Sequence, residues 1–247
     1  MTGRHLDWEG CRNVRDLGGL PAAGGRVTRW GAVVRSDAPD NLSPAGWAAL
    51  RAHGIRTIVD LRNSDEPTGR PGAGAAGVAT VHVPMDDVDD TRFWREMWDG
   101  GLDGTPLYYR PFLERKPERC VAAVAAVADA PPGGVLVHCG IGRDRTGLVA
   151  LLLLALVGVA PGDIAEDYDL SSLRLGTGAA AAALVRRDTT ARAVVMATVA
   201  SVDVEAVLRA AGLTDRRLRA VRDRLLEPPG PPPTATRRSP RSGPSGR

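Results

Sequence analysis

The distribution of apolar and polar residues predicts three short strands separated by helices. Residues 56–61, 79–83 and 135–138 are apolar runs rich in β-branched side chains, and each has a glycine or proline close to one end. Short runs of this kind are typical of buried strands. Because segments of helical character separate them, the pattern predicts βαβ units and therefore a largely parallel sheet.

Helix signals are found between these runs and through most of the chain after residue 163. Ser43 before Pro44 is a typical helix start, and Thr214 is another. The predicted helices are residues 44–51, 117–128, 146–158 and 214–226, with breaks in the C-terminal region near Gly176, Gly178 and Gly212. The sequence therefore predicts an α/β fold, in which a central, largely parallel sheet is flanked by helices and followed by a helical C-terminal part.

The end of the chain differs in composition from the rest. Residues 228–247 contain seven prolines, three glycines and four arginines, and no large apolar side chain. We expect this tail to be disordered and a single folded domain to span residues 1–227. The whole chain has a net charge of +3, but without the tail it has 28 basic and 29 acidic residues. The predicted domain is thus nearly neutral, and we expect no nucleic-acid-binding surface.

The cysteines and the apolar segments indicate a reducing, cytoplasmic location. Cys11, Cys120 and Cys139 cannot form a disulfide framework, and no pair has the spacing of zinc ligands. The apolar run 148–160 is shorter than the roughly 20 residues of a membrane-spanning helix, and the first ten residues lack a secretory signal. We therefore expect a buried helix at 148–160, no membrane insertion, and no metal or cofactor.

A strand, a glycine-rich turn and a helix meet around Cys139. Five residues separate Cys139 from Arg145, and the predicted helix begins at Thr146. Backbone N–H groups in such a turn form an anion-binding nest, to which the helix N-terminus adds its positive dipole. Arg145 would close the nest by a bidentate contact with two phosphate oxygens. The positive field favours the thiolate form of Cys139, beneath a bound phosphoryl group.

We call residues 139–145 the phosphate loop. The candidate catalytic residues are Cys139 and Arg145, and the candidate substrate-binding residues are Gly140, Ile141, Gly142, Arg143 and Thr146. We expect a phosphate ester to be hydrolysed in two steps: Cys139 attacks phosphorus while a carboxylic acid protonates the leaving oxygen, and water then cleaves the phosphocysteine. Thr146 would hydrogen-bond the sulfur and help it to leave.

Other interpretations of the same residues are a structural cysteine, a catalytically silent phosphate-binding module and a sulfurtransferase that forms a persulfide. A lone cysteine at a strand end is most often a small core residue. The combination of strand, Cys139, five-residue turn, Arg145 and apolar helix favours catalysis instead. The turn is not a Walker A loop, because Leu148 follows Gly147 where that motif has lysine.

The phosphate loop resembles the Cys-x5-Arg signature of protein tyrosine phosphatases, and more narrowly the His-Cys-x-x-Gly-Lys-Asp-Arg-Thr-Gly loop of bacterial tyrosine/dual-specificity phosphatases. Arg143 stands where that pattern has lysine. Further matching stretches are 13–19, 35–37, 54–62 with Glu66, 167–168 with 170–171, and 212–215. The resemblance, over about residues 8–227, implies a protein-tyrosine-phosphatase-like fold and an enzyme that hydrolyses phosphotyrosine in proteins, with some activity on phosphoserine and phosphothreonine. Phosphoinositides or small phosphate esters are the alternative substrates.

The resemblance also implies that Asp144, beside the signature arginine, is the general acid. Two other interpretations of the carboxylates stay open. Asp144 could hold the turn or orient Arg145, and Asp86 or Asp87, on the acidic loop after the second predicted strand, could supply the proton instead.

The remaining polar and aromatic residues are expected to support the site. His138 would orient the phosphate loop through backbone hydrogen bonds, and Asp60 with Arg62 would brace the site or form a structural ion pair. Residues expected to act as scaffold are Asn13, Arg15 and Asp16, which tie the N-terminal segment to the core, and Arg35, Asp37, Cys11 and Cys120. Aromatic residues that form either a lid or the packed face of a helix are Phe93, Trp94 and Trp98.

Overall fold

A five-stranded sheet forms the centre of the described part of the chain. The computed structural model describes residues 3–66, 75–176 and 178–228. The strand order is β1-β2-β5-β3-β4, and the strands are β1 (Arg15–Asp16), β2 (Val33–Ser36), β3 (Ile55–Asp60), β4 (Ala79–His82) and β5 (Gly134–His138). All neighbouring strands are parallel except β1 and β2. The predicted α/β fold with a largely parallel sheet is therefore confirmed.

The three strands predicted from the sequence are β3, β4 and β5, each found within one residue of its predicted ends. The sequence prediction lacked β1 and β2. β1 contains only two residues, both charged, and β2 ends in two polar residues, so neither shows an apolar run of strand length.

The side chains of β5 alternate between two hydrophobic clusters, one on each face of the sheet. Val135 and Val137 belong to the larger cluster, whereas Leu136 belongs to the smaller one, together with Trp47 and Leu50. Such alternation is that of a pleated strand covered on both faces. Because β2, β5, β3 and β4 are parallel, their carboxyl ends lie at one edge of the sheet, and the phosphate loop follows β5 at this edge.

Helices cover the sheet and form the C-terminal part of the described chain. They are α1 (Pro44–Ala52), α2 (Thr91–Asp99), α3 (Tyr109–Arg115), α4 (Pro117–Asp129), α5 (Arg145–Leu156), α6 (Pro161–Leu175), α7 (Gly178–Val185), α8 (Ala191–Ser201), α9 (Val204–Ala210) and α10 (Asp215–Leu225). The predicted helix starts are confirmed, because Ser43 Oγ accepts a hydrogen bond from the N–H of Gly46 and Thr214 Oγ1 accepts one from the N–H of Arg217. Gly176 and Gly212 mark breaks, as predicted, and both have positive φ angles.

The helix α5 is apolar on all sides because it is buried on all sides. Every residue from Thr146 to Leu154 is buried. This confirms the buried helix predicted from Leu148, but α5 ends at Leu156, four residues before the end predicted for the run 148–160. None of the helices in the described ranges has the length and apolarity needed to cross a membrane.

Two predictions fall mainly outside the described residues. One is the tail predicted for 228–247, of which only Pro228 is described. The other is the loop that the prolines and glycines of residues 66–77 predict, of which residues 67–74 are not described. The boundary between a folded domain and a tail near residue 227 therefore stays a prediction.

A buried cluster of one carboxylate and three arginines joins α6 to the N-terminal segment. Asp167 Oδ1 accepts hydrogen bonds from Arg4 Nη1 at 2.9 Å and from Arg15 Nε at 3.0 Å, and Oδ2 accepts one from Arg35 Nη1 at 2.7 Å. Burial alone would raise the pKa of Asp167, but the three arginines outweigh it and hold this pKa well below its usual range. Arg15 thus ties the N-terminal segment to the core, as predicted.

We expect Asp167→Asn to lower the free energy of unfolding by about 3–5 kcal/mol, because three buried arginines would lose their anion. Asp169→Asn is the matched control on the same helix, since Asp169 is partly exposed and its carboxylate lies 3.7 Å from Arg192. We expect this control to cost less than about 1 kcal/mol. Urea unfolding at neutral pH measures both variants.

The effect of Asp167→Asn should also depend on pH. A carboxyl with a depressed pKa in the folded state stabilises the fold above its unfolded pKa of about 4, and this contribution is lost as the pH falls through the folded-state pKa. The difference in stability between wild type and variant should therefore shrink below about pH 4. A difference that stays constant on acidification, or a variant as stable as the wild type, would contradict the assigned role.

Candidate active site

The phosphate loop places Cys139 at the base of a turn between β5 and α5. Cys139 is 3% exposed and Arg145 is the first residue of α5. Gly142 has a φ of +70°, and a Cβ there would lie 2.2 Å from the carbonyl oxygen of Ser36. Glycine is therefore required at 142 both for its backbone conformation and for the close approach of the loop to β2.

The guanidinium of Arg145 is held by two carboxylates. Nη2 donates to Glu66 Oε2 at 2.9 Å and Nη1 pairs with Glu66 Oε1, while Nη1 also lies 3.1 Å from Asp86 Oδ2. Burial lowers the pKa of Arg145, but Glu66, Asp86 and Cys139 outweigh it and raise this pKa above its ordinary value. Arg145 is thus a fixed cation at the phosphate loop, while its predicted bidentate contact with phosphate stays a prediction. The contact with Glu66 was missed, although Glu66 belongs to a matched stretch.

Asp86 lies in the site, whereas Asp87 does not. The Asp86 carboxylate accepts a hydrogen bond from Asn63 Nδ2 at 2.9 Å, and its backbone carbonyl accepts one from Trp94 Nε1 at 2.6 Å. Burial raises the pKa of Asp86, against the lowering effect of Arg145. Asp86 therefore keeps its proton to a higher pH than an exposed aspartate does. Asp87 points elsewhere, because it pairs with Lys116 and Arg119.

Asp144 is held at the start of α5 by two tyrosines and Arg143. Tyr168 Oη donates to Asp144 Oδ1 at 3.1 Å, and Arg143 Nε lies 3.3 Å from each carboxylate oxygen. Tyr109 Oη donates to the backbone carbonyl of Asp144 at 2.8 Å. Arg143 also donates from Nη2 to the carbonyl of Gly104 at 3.2 Å, so its guanidinium already has protein partners on both sides.

His138 contacts the backbone of the phosphate loop. Its Nδ1 lies 3.0 Å from the carbonyl oxygen of Cys139, and its Nε2 lies 3.7 Å from Asp60 Oδ1. Burial lowers the pKa of His138, so the neutral ring with a proton on Nδ1 fits this contact. Asp60 in turn pairs with Arg62 at 2.7 Å. The predicted backbone contact of His138 is present, and Asp60 and Arg62 form a buried ion pair at the edge of the site.

The hydroxyl of Thr146 is buried without a hydrogen-bond partner among the described residues, the sulfur of Cys139 included. The hydrogen bond expected between Thr146 and the sulfur is therefore not formed in this structure. Thr146 lies in the first turn of α5, one residue after Arg145.

The aromatic residues of α2 divide between the core and the site. Phe93 is fully buried and packs on Phe112, which fits the packing interpretation rather than the lid. The ring of Trp94 lies 6.1 Å from that of Tyr108 and 6.5 Å from that of Trp98, which is 60% exposed. Trp94 is partly buried and packs against the larger hydrophobic cluster, whereas Trp98 is exposed, so the lid interpretation stays a prediction for these two residues.

Tyr108 is a site residue that the sequence analysis missed. Burial raises the pKa of Tyr108 well above its ordinary value, and the carboxylates of Asp144 and Asp86 add to the effect. Tyr108 is buried, and its ring lies 6.1 Å from that of Trp94, which donates to the backbone carbonyl of Asp86. No motif marks this residue, since it follows the predicted aromatic segment by ten positions in a stretch without strand or helix periodicity.

The chain is similar to several known proteins. Residues 6–227 match the tyrosine phosphatase family. A candidate tyrosine-protein phosphatase of Cupriavidus necator is 34% identical over 70% of this chain and 66% of its own length. The triple specificity protein phosphatase PtpB of Mycobacterium tuberculosis is 33% identical over 64% of this chain and 66% of its own length. The chain thus spans slightly less than two thirds of each of these relatives. The crystal structure of TpbA from P. aeruginosa is 20% identical, with a TM-score of 0.35 over 75% of this chain and 89% of that one.

Proposed function

This chain belongs to the tyrosine phosphatase family, as its motifs predicted, and we propose that it hydrolyses phosphotyrosine in proteins through a phosphocysteine on Cys139. The observation that carries the proposal is the position of Cys139 at the base of the phosphate loop, next to the fixed cation of Arg145. An anion held by this loop would bring its phosphorus above the sulfur.

In the first step the Cys139 thiolate attacks phosphorus, an S–P bond forms, and the bond from phosphorus to the phenolic oxygen breaks. That oxygen takes a proton from a carboxylic acid and leaves as tyrosine. In the second step the carboxylate left by the first step takes a proton from water as the water oxygen attacks phosphorus, the S–P bond breaks, and the thiolate and the carboxylic acid are restored with release of inorganic phosphate. Arg145 and the loop N–H groups bind the phosphoryl oxygens in both transition states. The unpartnered hydroxyl of Thr146 would donate to the departing sulfur.

Asp144 is the proposed general acid, and Asp86 is the second candidate. Asp144 precedes Arg145 directly, and Tyr168 and Arg143 orient its carboxyl group. Asp86 is favoured by a different observation, because burial raises the pKa of Asp86 and a general acid has to be protonated when the leaving group departs.

The aromatic residues at the edge of the site support phosphotyrosine as the substrate. Trp94 donates to the backbone carbonyl of Asp86, and the ring of Tyr108 lies 6.1 Å from that of Trp94. Arg143, in contrast, already donates from Nε to Asp144 and from Nη2 to Gly104, which leaves it fewer donors for a second phosphate of a phosphoinositide. The proposal includes weaker activity on phosphoserine and phosphothreonine and a cytoplasmic location, which a phosphopeptide and phosphoinositide panel and cell fractionation test.

We expect the wild-type protein to hydrolyse p-nitrophenyl phosphate in the presence of EDTA. Cys139→Ser should lower turnover by roughly three orders of magnitude or more, because the nucleophile is removed. Cys11→Ser is the matched control, since the Cys11 thiol lies outside the site and contacts the carbonyl of Ala38, and it should keep turnover close to that of the wild type. Absence of metal-free turnover by the wild type would refute the proposed function.

The pH profile of turnover distinguishes the two candidate acids. A general acid makes the rate fall as the pH rises through its pKa, so its replacement by asparagine removes this high-pH limb and lowers the rate about 10²–10⁴-fold. We expect this result for Asp144→Asn, with the limb retained in Asp86→Asn. If Asp144→Asn keeps both limbs and near-normal turnover while Asp86→Asn loses the high-pH limb, Asp86 is the acid.

A further inference from the structure

Two buried side chains from the N-terminal part of the chain hold three consecutive carbonyl groups of the phosphate loop. Asn13 Nδ2 donates hydrogen bonds to the carbonyl oxygens of Ile141 and Gly142, each at 3.0 Å. Arg35 Nη2 donates to the carbonyl oxygen of Gly142 at 2.8 Å and to that of Arg143 at 3.2 Å. Asn13 and Arg35 are each 1% exposed, so these contacts are shielded from solvent.

The direction of these carbonyls fixes the direction of the N–H groups that follow them. In a planar trans peptide the C=O and the N–H of the next residue point in opposite directions. Carbonyls turned toward Asn13 and Arg35 therefore turn the N–H groups of Gly142, Arg143 and Asp144 to the other side. Within the described ranges these three N–H groups donate to no protein acceptor, so they are available to an anion.

Both donors are themselves fixed before any anion binds. Arg15 Nη1 donates to Asn13 Oδ1 at 2.7 Å, which leaves the Nδ2 of Asn13 to face the loop. Arg35 binds Asp167 through Nη1 at 2.7 Å while Nη2 contacts the loop. Donors held in this way stabilise developing charge without reorganisation during the reaction.

We propose that Asn13 and Arg35 are positioning residues for the phosphatase reaction. By holding three loop carbonyls away from Cys139, they direct three N–H dipoles toward the bound phosphate and the thiolate. The inference rests on the proposed function and goes beyond the scaffold role expected from the sequence. Without one of these donors, a loop peptide can rotate and present its carbonyl oxygen to the anion, which weakens phosphate binding and disfavours the thiolate.

The test compares Arg35→Lys with Arg4→Lys in the full chain. Both replacements keep a positive charge beside Asp167, but Arg4 contacts no loop carbonyl and donates instead to Asp167 and to the carbonyl of Asp16. Asn13→Ala is a third variant, which removes the donor to two loop carbonyls without changing the charge. Melting temperatures of all variants report the general loss of stability.

The first readout is the rate at which iodoacetamide alkylates Cys139, followed by mass spectrometry as a function of pH. The thiolate is the reacting form, so the midpoint of this profile reports how strongly the loop stabilises it. Interference is small, because burial and the nearby Asp37 raise the pKa of Cys11 to about 12 and burial raises the pKa of Cys120. The second readout is the concentration of inorganic phosphate that protects Cys139 from alkylation.

We expect Arg35→Lys and Asn13→Ala to move the alkylation midpoint upward by about one pH unit and to raise the protecting phosphate concentration about tenfold. Arg4→Lys should leave both readouts close to wild type while lowering the melting temperature. The inference is overturned if both loop variants react and bind phosphate like the wild type. It is also overturned if Arg4→Lys shifts both readouts as far as Arg35→Lys does.

Failure of the proposed function would be visible separately, as a wild-type protein without metal-free turnover, because neither alkylation nor phosphate protection requires turnover. Arg35→Lys and Asn13→Ala test the same inference through different side chains. If one of them does not fold, the other decides the outcome.

Discussion

The ion pairs between the buried carboxylate of Asp167 and three arginines are the interaction on which the rest of the site depends. Arg4, Arg15 and Arg35 converge on this carboxylate, and a buried guanidinium without an anion would be strongly destabilising. The anion comes from α6, so α6 has to pack against the segment that carries these arginines. Arg35 then extends from Asp167 to the phosphate loop, and Arg15 extends from Asp167 to Asn13. The same charge that joins two parts of the fold therefore orients the loop.

Around Arg145 the charges are arranged in the opposite way. Here one arginine is shared between two carboxylates, whereas at Asp167 one carboxylate is shared among three arginines. Arg145 is bound by Glu66 and lies beside Asp86, whose pKa is raised by burial. A phosphate dianion next to Arg145 would favour the protonated form of Asp86 further, since like charges disfavour ionisation. Asp144 differs, because its carboxylate is the acceptor for donors on two sides. The two candidate acids thus differ in their surroundings: burial favours the protonated form of Asp86, whereas hydrogen-bond donors hold the carboxyl group of Asp144.

The sequence predicted the parts of this arrangement that are local along the chain. The strand before Cys139, the turn, Arg145 and the buried helix α5 form one continuous segment, and the Ser43 and Thr214 caps act over three residues. The individual partners in contacts between distant segments were not predictable. Asn13 meets Ile141 at a separation of 128 residues and Glu66 meets Arg145 at 79, and no local pattern encodes such pairs. Asn13 and Glu66 belong to stretches that match the family motifs. The sequence therefore marked these two residues, but it did not identify their partners.

Covalent chemistry at Cys139 is the central claim, and trapping the intermediate tests it most directly. Wild-type protein is mixed with a phosphotyrosyl peptide, quenched in acid within the first turnovers, digested and analysed by mass spectrometry. We expect one phosphoryl group on the peptide that contains Cys139, formed before steady state and absent from Cys139→Ser. Turnover of the phosphopeptide with no phosphoryl group on Cys139 at any time, and with Cys139→Ser as active as the wild type, would contradict the proposed chemistry.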